Sequence, residues 1–138
     1  LNKQNRLTWD ELFMINAITL SGRSSCDRLN VGCVIVKDNR IICSGYNGFL
    51  PGAPHVSRIR DGHEIGTVHA EQNAIANAAR NNACVKDSIA YITHFPCINC
   101  AKILAASGIK MIKYNYDYNN DEIVNIILKE ANVTLQKI

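Results

Sequence analysis

The sequence predicts an α/β protein whose mixed sheet is covered by helices on both faces. Three observations carry that expectation. Helix-like and strand-like segments alternate along most of the chain. The first two strand-like runs flank a two-residue turn signal, Asp38-Asn39, and so form a hairpin. A helix separates the last two strands, which therefore run parallel. With 138 residues, 47% hydrophobic and 20% charged, the chain suffices for one domain, residues 1–138, around one core.

The elements follow in order. "TWDELFMINAITLSGRS" spaces Leu12, Ile15 and Ile18 as a helix does. Thr8 and Glu11 form a capping-box pattern at its start, and Gly22 ends it. "VGCVIVKDNRIICSGYNG" is the hairpin. "GFLPGAPHVSRIRDGHEIG", Gly48 to Gly66, reads as a long polar loop, a type that is usually functional or disordered. "TVHAEQNAIANAARNN" is an alanine-rich helix suited to close packing, and "SIAYITHF" is a strand. Pro96 opens a further helix through about Ser107, with Gly108 as its stop. "IKMIKYNY" is a strand, "NDEIVNIILKEAN" a helix capped by Asn120 or Asp121, and "VTLQKI" a last short strand. The order is α-β-β-α-β-α-β-α-β, with no internal repeat, linker or low-complexity segment.

Composition narrows the partners. Lys and Arg number 15 against 12 Asp and Glu, a net charge of +3. That is too mild to imply nucleic acid and is compatible with a small anionic substrate. No apolar run approaches the ~18 residues of a membrane helix. The polar opening "LNKQNRLTWDE" is unlike a signal peptide. Six cysteines without secretory features suggest a reducing, cytoplasmic setting with free thiols. Cys33 and Cys43 fall within strand patterns and read as small core residues.

Chemistry concentrates in "HAE", His69 to Glu71, and "PCINC", Pro96 to Cys100. Alone, the C-x-x-C pair could be a redox dithiol, half of a zinc finger, or part of a catalytic metal site. Cys97 and Cys100 stand at i, i+3 and share one face, and the positive end of their helix favours the thiolate. His69 and Glu71, two apart, would diverge by about 200° in mid-helix; only in a first turn do both reach one pocket. One His and two Cys leave the fourth position of a tetrahedral zinc open, as a catalytic zinc requires, with Glu71 as a spare carboxylate. A redox dithiol leaves the H-x-E unexplained, and a zinc finger lacks its fourth ligand, since no Cys or His follows Cys100. H-x-E followed by P-C-x-x-C is the signature of the zinc-dependent nucleobase deaminases.

The chain resembles the cytidine/deoxycytidylate deaminase superfamily, and within it the deoxycytidylate (dCMP) deaminase branch, from about Thr8 to Val133. The motifs are "RSSCDRLNVGCVIV", "ICSGYNGF", "VHAEQNAI" and "YITHFPCINCAKILAASGI". "THFPC" and "DYNND" also resemble bacterial late-competence deaminase-like proteins. The resemblance implies a three-layer α/β/α sandwich around a five-stranded mixed sheet. It implies Zn2+ on His69, Cys97 and Cys100, with Glu71 as proton shuttle while water attacks C4 of cytosine. It implies that Ala70 backbone groups hold the base and that Asn47, otherwise a turn residue, bonds the sugar hydroxyl. In the loop holding Arg23, Ser24, Ser25 and Arg28, it points to Arg23 and Ser25 as phosphate contacts; Tyr118 is a further candidate.

The implied reaction converts dCMP to dUMP and ammonia, supplying dUMP for thymidylate synthesis. Alternatives are dCTP, another substrate of the superfamily, or a zinc-stabilised binding module without turnover. An RNA substrate would want a broad basic surface with stacking aromatics, and only 7% of residues are aromatic. His55 and His63, with Glu64 where related chains often carry Cys, make a poor second zinc site, so one zinc is expected. The family also suggests regulation by dCTP and dTTP, and a homo-oligomer, hexamer or smaller.

Overall fold

The computed structural model describes residues 5–138, so the first four residues of the polar opening segment lie outside the described residues. Helix α1, Trp9–Ser21, starts where the capping pattern predicts: the Glu11 amide donates to Thr8 Oγ1 at 3.1 Å. Strands β1, Gly32–Lys37, and β2, Arg40–Tyr46, form the hairpin. Asp38 and Asn39 both take positive φ, 50° and 58°, the primed turn that matches strand twist. A bulge between Ile35 and Val36 shifts the register so that Ile35 faces Cys43 and Val36 faces Ile41.

The 48–66 segment is more ordered than its composition suggests. Strand β3, Gly48–Phe49, pairs antiparallel with β6, Thr67–Val68. Between them β4, Ile59–Arg60, pairs with β5, His63–Glu64, across the positive-φ residues Asp61 and Gly62. Glu64 gathers this segment by accepting from Ser57 Oγ and from the amides of Arg58 and Gly66. One carboxylate thus supplies the partners that a longer ladder would otherwise provide.

Helix α2, Ala70–Arg80, begins three residues later than expected, because Thr67 and Val68 belong to β6. Strand β7, Ile89–His94, leads into α3, Ile98–Ala106. Here Pro96 does not open the helix; Cys97 is the extended cap residue and Pro96 precedes it. Gly108, at φ 90°, ends that segment as predicted. Strand β8, Met111–Tyr116, helix α4, Glu122–Glu130, and strand β9, Thr134–Lys137, complete the chain. Of the two candidate caps for α4, Asp121 accepts from the Ile123 amide, whereas Asn120 serves the preceding turn by accepting from the Tyr118 amide.

The central sheet runs β2-β1-β7-β8-β9. β1 pairs antiparallel with β2 and β7, while β7–β8 and β8–β9 are parallel, so the sheet is mixed as expected. Alternation along β1 separates the two faces. Val34 and Val36 pack with Phe13, Met14 and Ala17 of α1, while Cys33 and Ile35 join the larger core under α2, α3 and α4. Both cysteines are buried, as the strand pattern implied. The result is a three-layer α/β/α sandwich. No helix among the described residues is long and apolar enough to cross a membrane.

Helix α2 is seated on the edge strand β2 by three sequence features. A Cβ at Gly45 would lie 2.4 Å from both Ala70 O and Ala74 N, so only glycine permits this approach. Asn73 Nδ2 donates to Tyr46 O at 2.7 Å, and the Ser44 amide donates to Asn77 Oδ1 at 3.4 Å. Edge-strand groups that would otherwise lack partners are satisfied by one face of the helix. The start of α2 is thereby held against the sheet.

Candidate active site

Two helix starts meet where β7 ends. His69 caps α2 and Cys97 caps α3, both in extended backbone, with ψ of 154° and 164°. The two side chains turn toward each other. His69 shares a capping box with Gln72, whose Oε1 accepts from the His69 amide at 3.0 Å, and the Cys100 amide supports the Cys97 sulfur. His69 Nδ1 lies 3.6 Å from Cys97 Sγ and 3.3 Å from Cys100 Sγ. All three ligand atoms lie within 4.8 Å of one another, the one such group found among the described residues.

This geometry fits zinc. With bonds of about 2.3 Å to sulfur and 2.0–2.1 Å to nitrogen, tetrahedral angles separate ligand atoms by ~3.5–3.8 Å. The 3.6 Å spacing to Cys97 falls in that range and the 3.3 Å spacing to Cys100 falls slightly below it, so an ion would enter with a small spreading of the His69–Cys100 pair. Electrostatics agree. The Cys100 thiol, hydrogen-bonded to Cys97, is the largest influence pulling the Cys97 thiol down to about 4; His69 and the Cys100 amide reinforce it against burial. Cys100, the buried partner, keeps its proton and is pushed far upward by the Cys97 thiolate first and by burial second. His69 is raised, chiefly by its bond to Cys97 and despite burial. A thiolate is therefore already present, and binding an ion displaces the Cys100 proton.

Glu71 is only 5% exposed. Burial raises its pKa, outweighing the help from its own amide and from His69, with Cys97 adding to the rise. A carboxyl whose pKa is raised by burial holds a proton more readily than an exposed one, which suits a group that moves protons. It lines the same cavity, of about 640 Å3, as His69, Ala70 and Cys97.

The other sequence candidates divide. Ser25, Asn47 and Tyr118 line this cavity with Ala70. Arg23 does not: it is exposed and absent from the lining, and Arg28 takes its place there. The chain turns through 22–24 immediately after α1, which carries Arg23 away while Arg28 donates across to Gly62 O at 3.4 Å. Asn47 is committed as well as exposed to the cavity. Its Oδ1 accepts from the Val31 amide at 2.8 Å and its Nδ2 donates to Leu29 O at 2.7 Å, so it ties the 29–31 segment into the wall.

His55, His63 and Glu64, weighed in the sequence only as a poor second zinc site, also line the cavity, as does His94, which sequence reasoning missed. His55 stacks on Phe49 with ring centroids 5.1 Å apart. His94 sits three residues before Cys97, in "THFPC", and that proximity was the available signal.

Fold and site together define a class: α/β/α proteins in which a His–Cys–Cys group and a buried carboxyl, held at two helix starts, face one cavity. Comparison with known proteins makes the class specific. Residues 7–116 match the family model for the cytidine and deoxycytidylate deaminase zinc-binding region. ComE operon protein 2 of Bacillus subtilis is 36% identical over 137 residues, covering 96% of this chain and 72% of that protein. The deoxycytidylate deaminase of Schizosaccharomyces pombe is 35% identical over 144 residues, covering 96% of this chain; the chain spans only 44% of that relative's length. The crystal structure of the dCMP deaminase of cyanophage S-TIM5 in complex with dCMP and dUMP superposes with a TM-score of 0.86 at 28% identity, covering 100% and 99% of the two chains. The chain belongs to the cytidine and deoxycytidylate deaminase family.

Proposed function

We propose that this chain, as one deaminase unit over residues 1–138, hydrolyses dCMP to dUMP and ammonia. The observation that carries the reading is the buried Glu71 carboxyl facing the same cavity as His69 and Cys97. A purely structural metal site has no need of it. His69, Cys97 and Cys100 would hold a single Zn2+, which when bound supplies the Lewis acid that activates water for attack at C4 of cytosine. Glu71 takes the proton given up by the water, passes it to N3 of the base, and later delivers a proton to the departing amine. One water enters and one ammonia leaves. Backbone groups at Ala70 orient the base, Asn47 and the segment it ties down meet the sugar, and Ser25, Arg28 and Tyr118 offer donors for the phosphate.

The named relatives and the nucleotides in the phage complex support dCMP as substrate. dCTP, with two more phosphates, is the nearest alternative. A role in supplying dUMP for thymidylate synthesis, a cytoplasmic location, a homo-oligomer of up to six chains and regulation by dCTP and dTTP all extend from the same family reading. One observation favours a second reading, a zinc-stabilised binding module without turnover: the similarity to ComE operon protein 2, whose name states no reaction.

Ammonia release from dCMP, dCTP, deoxycytidine and cytidine decides between them, with metal analysis alongside. Turnover of dCMP with one zinc per chain is expected. Zinc without turnover of any of the four supports the binding module, and the absence of zinc removes both readings.

A further inference from the structure

We propose that Asp27 and Glu64 are specificity-determining residues of this site: their carboxylates turn away nucleoside triphosphates and leave the cavity to monophosphates. The inference rests on the nucleotide-deaminase reading above and deepens it, since that reading gave neither residue a role and left dCTP open.

The lining of the cavity is short of cations. Asp27, Glu64 and Glu71 line it with carboxyls, and Arg28 is the one Arg or Lys there among the described residues. With zinc bound, the two thiolates cancel the charge of the ion. Glu71, whose pKa burial raises, is set aside as a group that holds a proton more readily. Asp27 and Glu64 then stand against Arg28 alone. One cation suits one phosphate. A triphosphate brings two further negative charges and finds no further Arg or Lys in the lining. Since these groups share one cavity, the deficit holds whichever end of the nucleotide enters first.

The two carboxylates keep their charge to themselves. The ion pairs among the described residues are Lys113–Asp10 and Lys137–Asp117, so neither Asp27 nor Glu64 has a cation within salt-bridge reach. Glu64 is fixed by neutral donors instead: Ser57 Oγ, the Arg58 amide at 3.1 Å and the Gly66 amide at 2.9 Å. Those bonds, the one from Ser57 first, hold its carboxyl below the usual carboxylate range, with a smaller pull from the Arg58 charge. The Arg58 guanidinium donates to Val56 O at 3.3 Å and does not line the cavity. Arg23 and Arg60 are exposed and also outside the lining. Asp27 is exposed beside Arg28. Arg28 in turn donates to Gly62 O at 3.4 Å, in the turn between β4 and β5. The lone cation thus links the segment bearing Asp27 to the hairpin bearing Glu64.

Like charges repel even across water. At about 8 Å, one carboxylate costs a ligand roughly twofold in affinity for each negative charge the ligand carries, and less as salt rises. An uncharged nucleoside escapes this cost, a monophosphate meets part of it, and a triphosphate meets most.

The test uses the full zinc-loaded chain turning over dCMP at about pH 8, above the ordinary imidazole range, so that the lining histidines add no charge. Deoxyuridine, dUMP and dUTP serve as competitive inhibitors, and wild-type protein should bind dUTP more weakly than dUMP. Asp27→Asn should tighten dUTP about eightfold and dUMP about threefold at low salt, and leave deoxyuridine within about 1.5-fold. Glu64→Gln, which keeps an oxygen for the amides, should raise the affinity of dUTP relative to deoxyuridine by a similar factor. That ratio reads charge alone, because a loosened 57–66 segment would shift all three ligands together. Both gains should shrink toward nothing near ~0.5 M salt. An unchanged ratio in either variant strikes that residue from the proposal, and an unchanged ratio in both overturns it. Tighter binding of dUTP than of dUMP by wild-type protein also overturns it. If wild-type protein neither turns over dCMP nor binds dUMP, the nucleotide-deaminase reading has failed instead.

Discussion

The four helix starts of this molecule fall into two pairs. At α1 and α4 the cap side chain serves its own helix: Thr8 accepts from the Glu11 amide and Asp121 from the Ile123 amide. At α2 and α3 the cap residues are His69 and Cys97, and their side chains also meet each other across the two helix starts. Residues such as Ser, Thr, Asp or Asn at a cap are worth roughly 1 kcal/mol each. In the second pair the cap side chain is shared between its own helix and the neighbouring ligands. A cap position that holds a metal-ligating residue type facing another such cap marks the place where a helix start is drawn into chemistry.

Variants at the caps give the comparison its strongest test. Cys97→Ser should remove most bound zinc and lower dCMP turnover by several orders of magnitude, read by metal analysis and ammonia release. In metal-free protein the same change installs a better cap, so urea unfolding should show stability unchanged or raised by up to about 1 kcal/mol. Loss of metal-free stability would mean that Cys97 supports the fold as well as the site. Glu71→Gln comes next. It should retain zinc and lower turnover by about 10²–10⁴-fold, the range for a removed proton shuttle; activity near wild type would show that the buried carboxyl is not part of the reaction.

Gly45→Val probes how α2 is seated. The new side chain would meet the helix backbone, and about 3 kcal/mol of stability should be lost, with turnover falling further than stability if the start of α2 moves. At the locally capped start, Thr8→Ala should cost about 1 kcal/mol and leave turnover untouched, the opposite pattern to Cys97→Ser. The smallest effect is expected at Asp10, on the α1 face. Burial pulls its pKa up, but hydrogen bonds from Lys113 and Tyr91 and the Lys113 charge win, and the net shift is downward. Lys113 Nζ lies 2.8 Å from Asp10 Oδ1, and Tyr91 donates to the same oxygen at 2.6 Å. A carboxyl with a lowered folded-state pKa stabilises above its unfolded value and loses that contribution as pH falls through the folded one. Thermal unfolding of wild type should therefore weaken on acidification below the ordinary carboxylate range. Asp10→Asn should already be weaker at neutral pH and show a shallower acid loss; an unchanged acid profile would discount the pair.

The features legible in the sequence are those that act over a few residues. The Thr8–Glu11 cap, the Asp38-Asn39 turn, the Gly108 stop and the i, i+3 pair Cys97–Cys100 all emerge where expected. The misplaced helix starts share an extended cap residue, so His69 and Cys97 belong to the approach to the helix, and at α2 the pairing of Thr67 and Val68 in β6 accounts for the other two residues. Pro96 is compatible with the first helical position and with the approach, and propensity does not distinguish them. Arg23 and Arg28 share one basic loop, the resemblance points to Arg23, and only the path of the chain after α1 decides that Arg28 reaches the cavity. The two short hairpins within 48–66 depend on Glu64 collecting backbone amides, which no periodicity reports.

By itself the sequence determined the α/β alternation, the hairpin, and a donor set of one His, two Cys and one carboxyl whose spacings suit helix starts. Only the tertiary structure decided that β7 lies between β1 and β8, that His69 comes within 3.3 Å of Cys100, and that Asp27 and Glu64 line one cavity. The physical reason is range. Caps, turns and helical spacing are set by bonds between near neighbours, whereas strand order and the docking of α2 on β2 come from burying apolar surface between segments far apart in sequence.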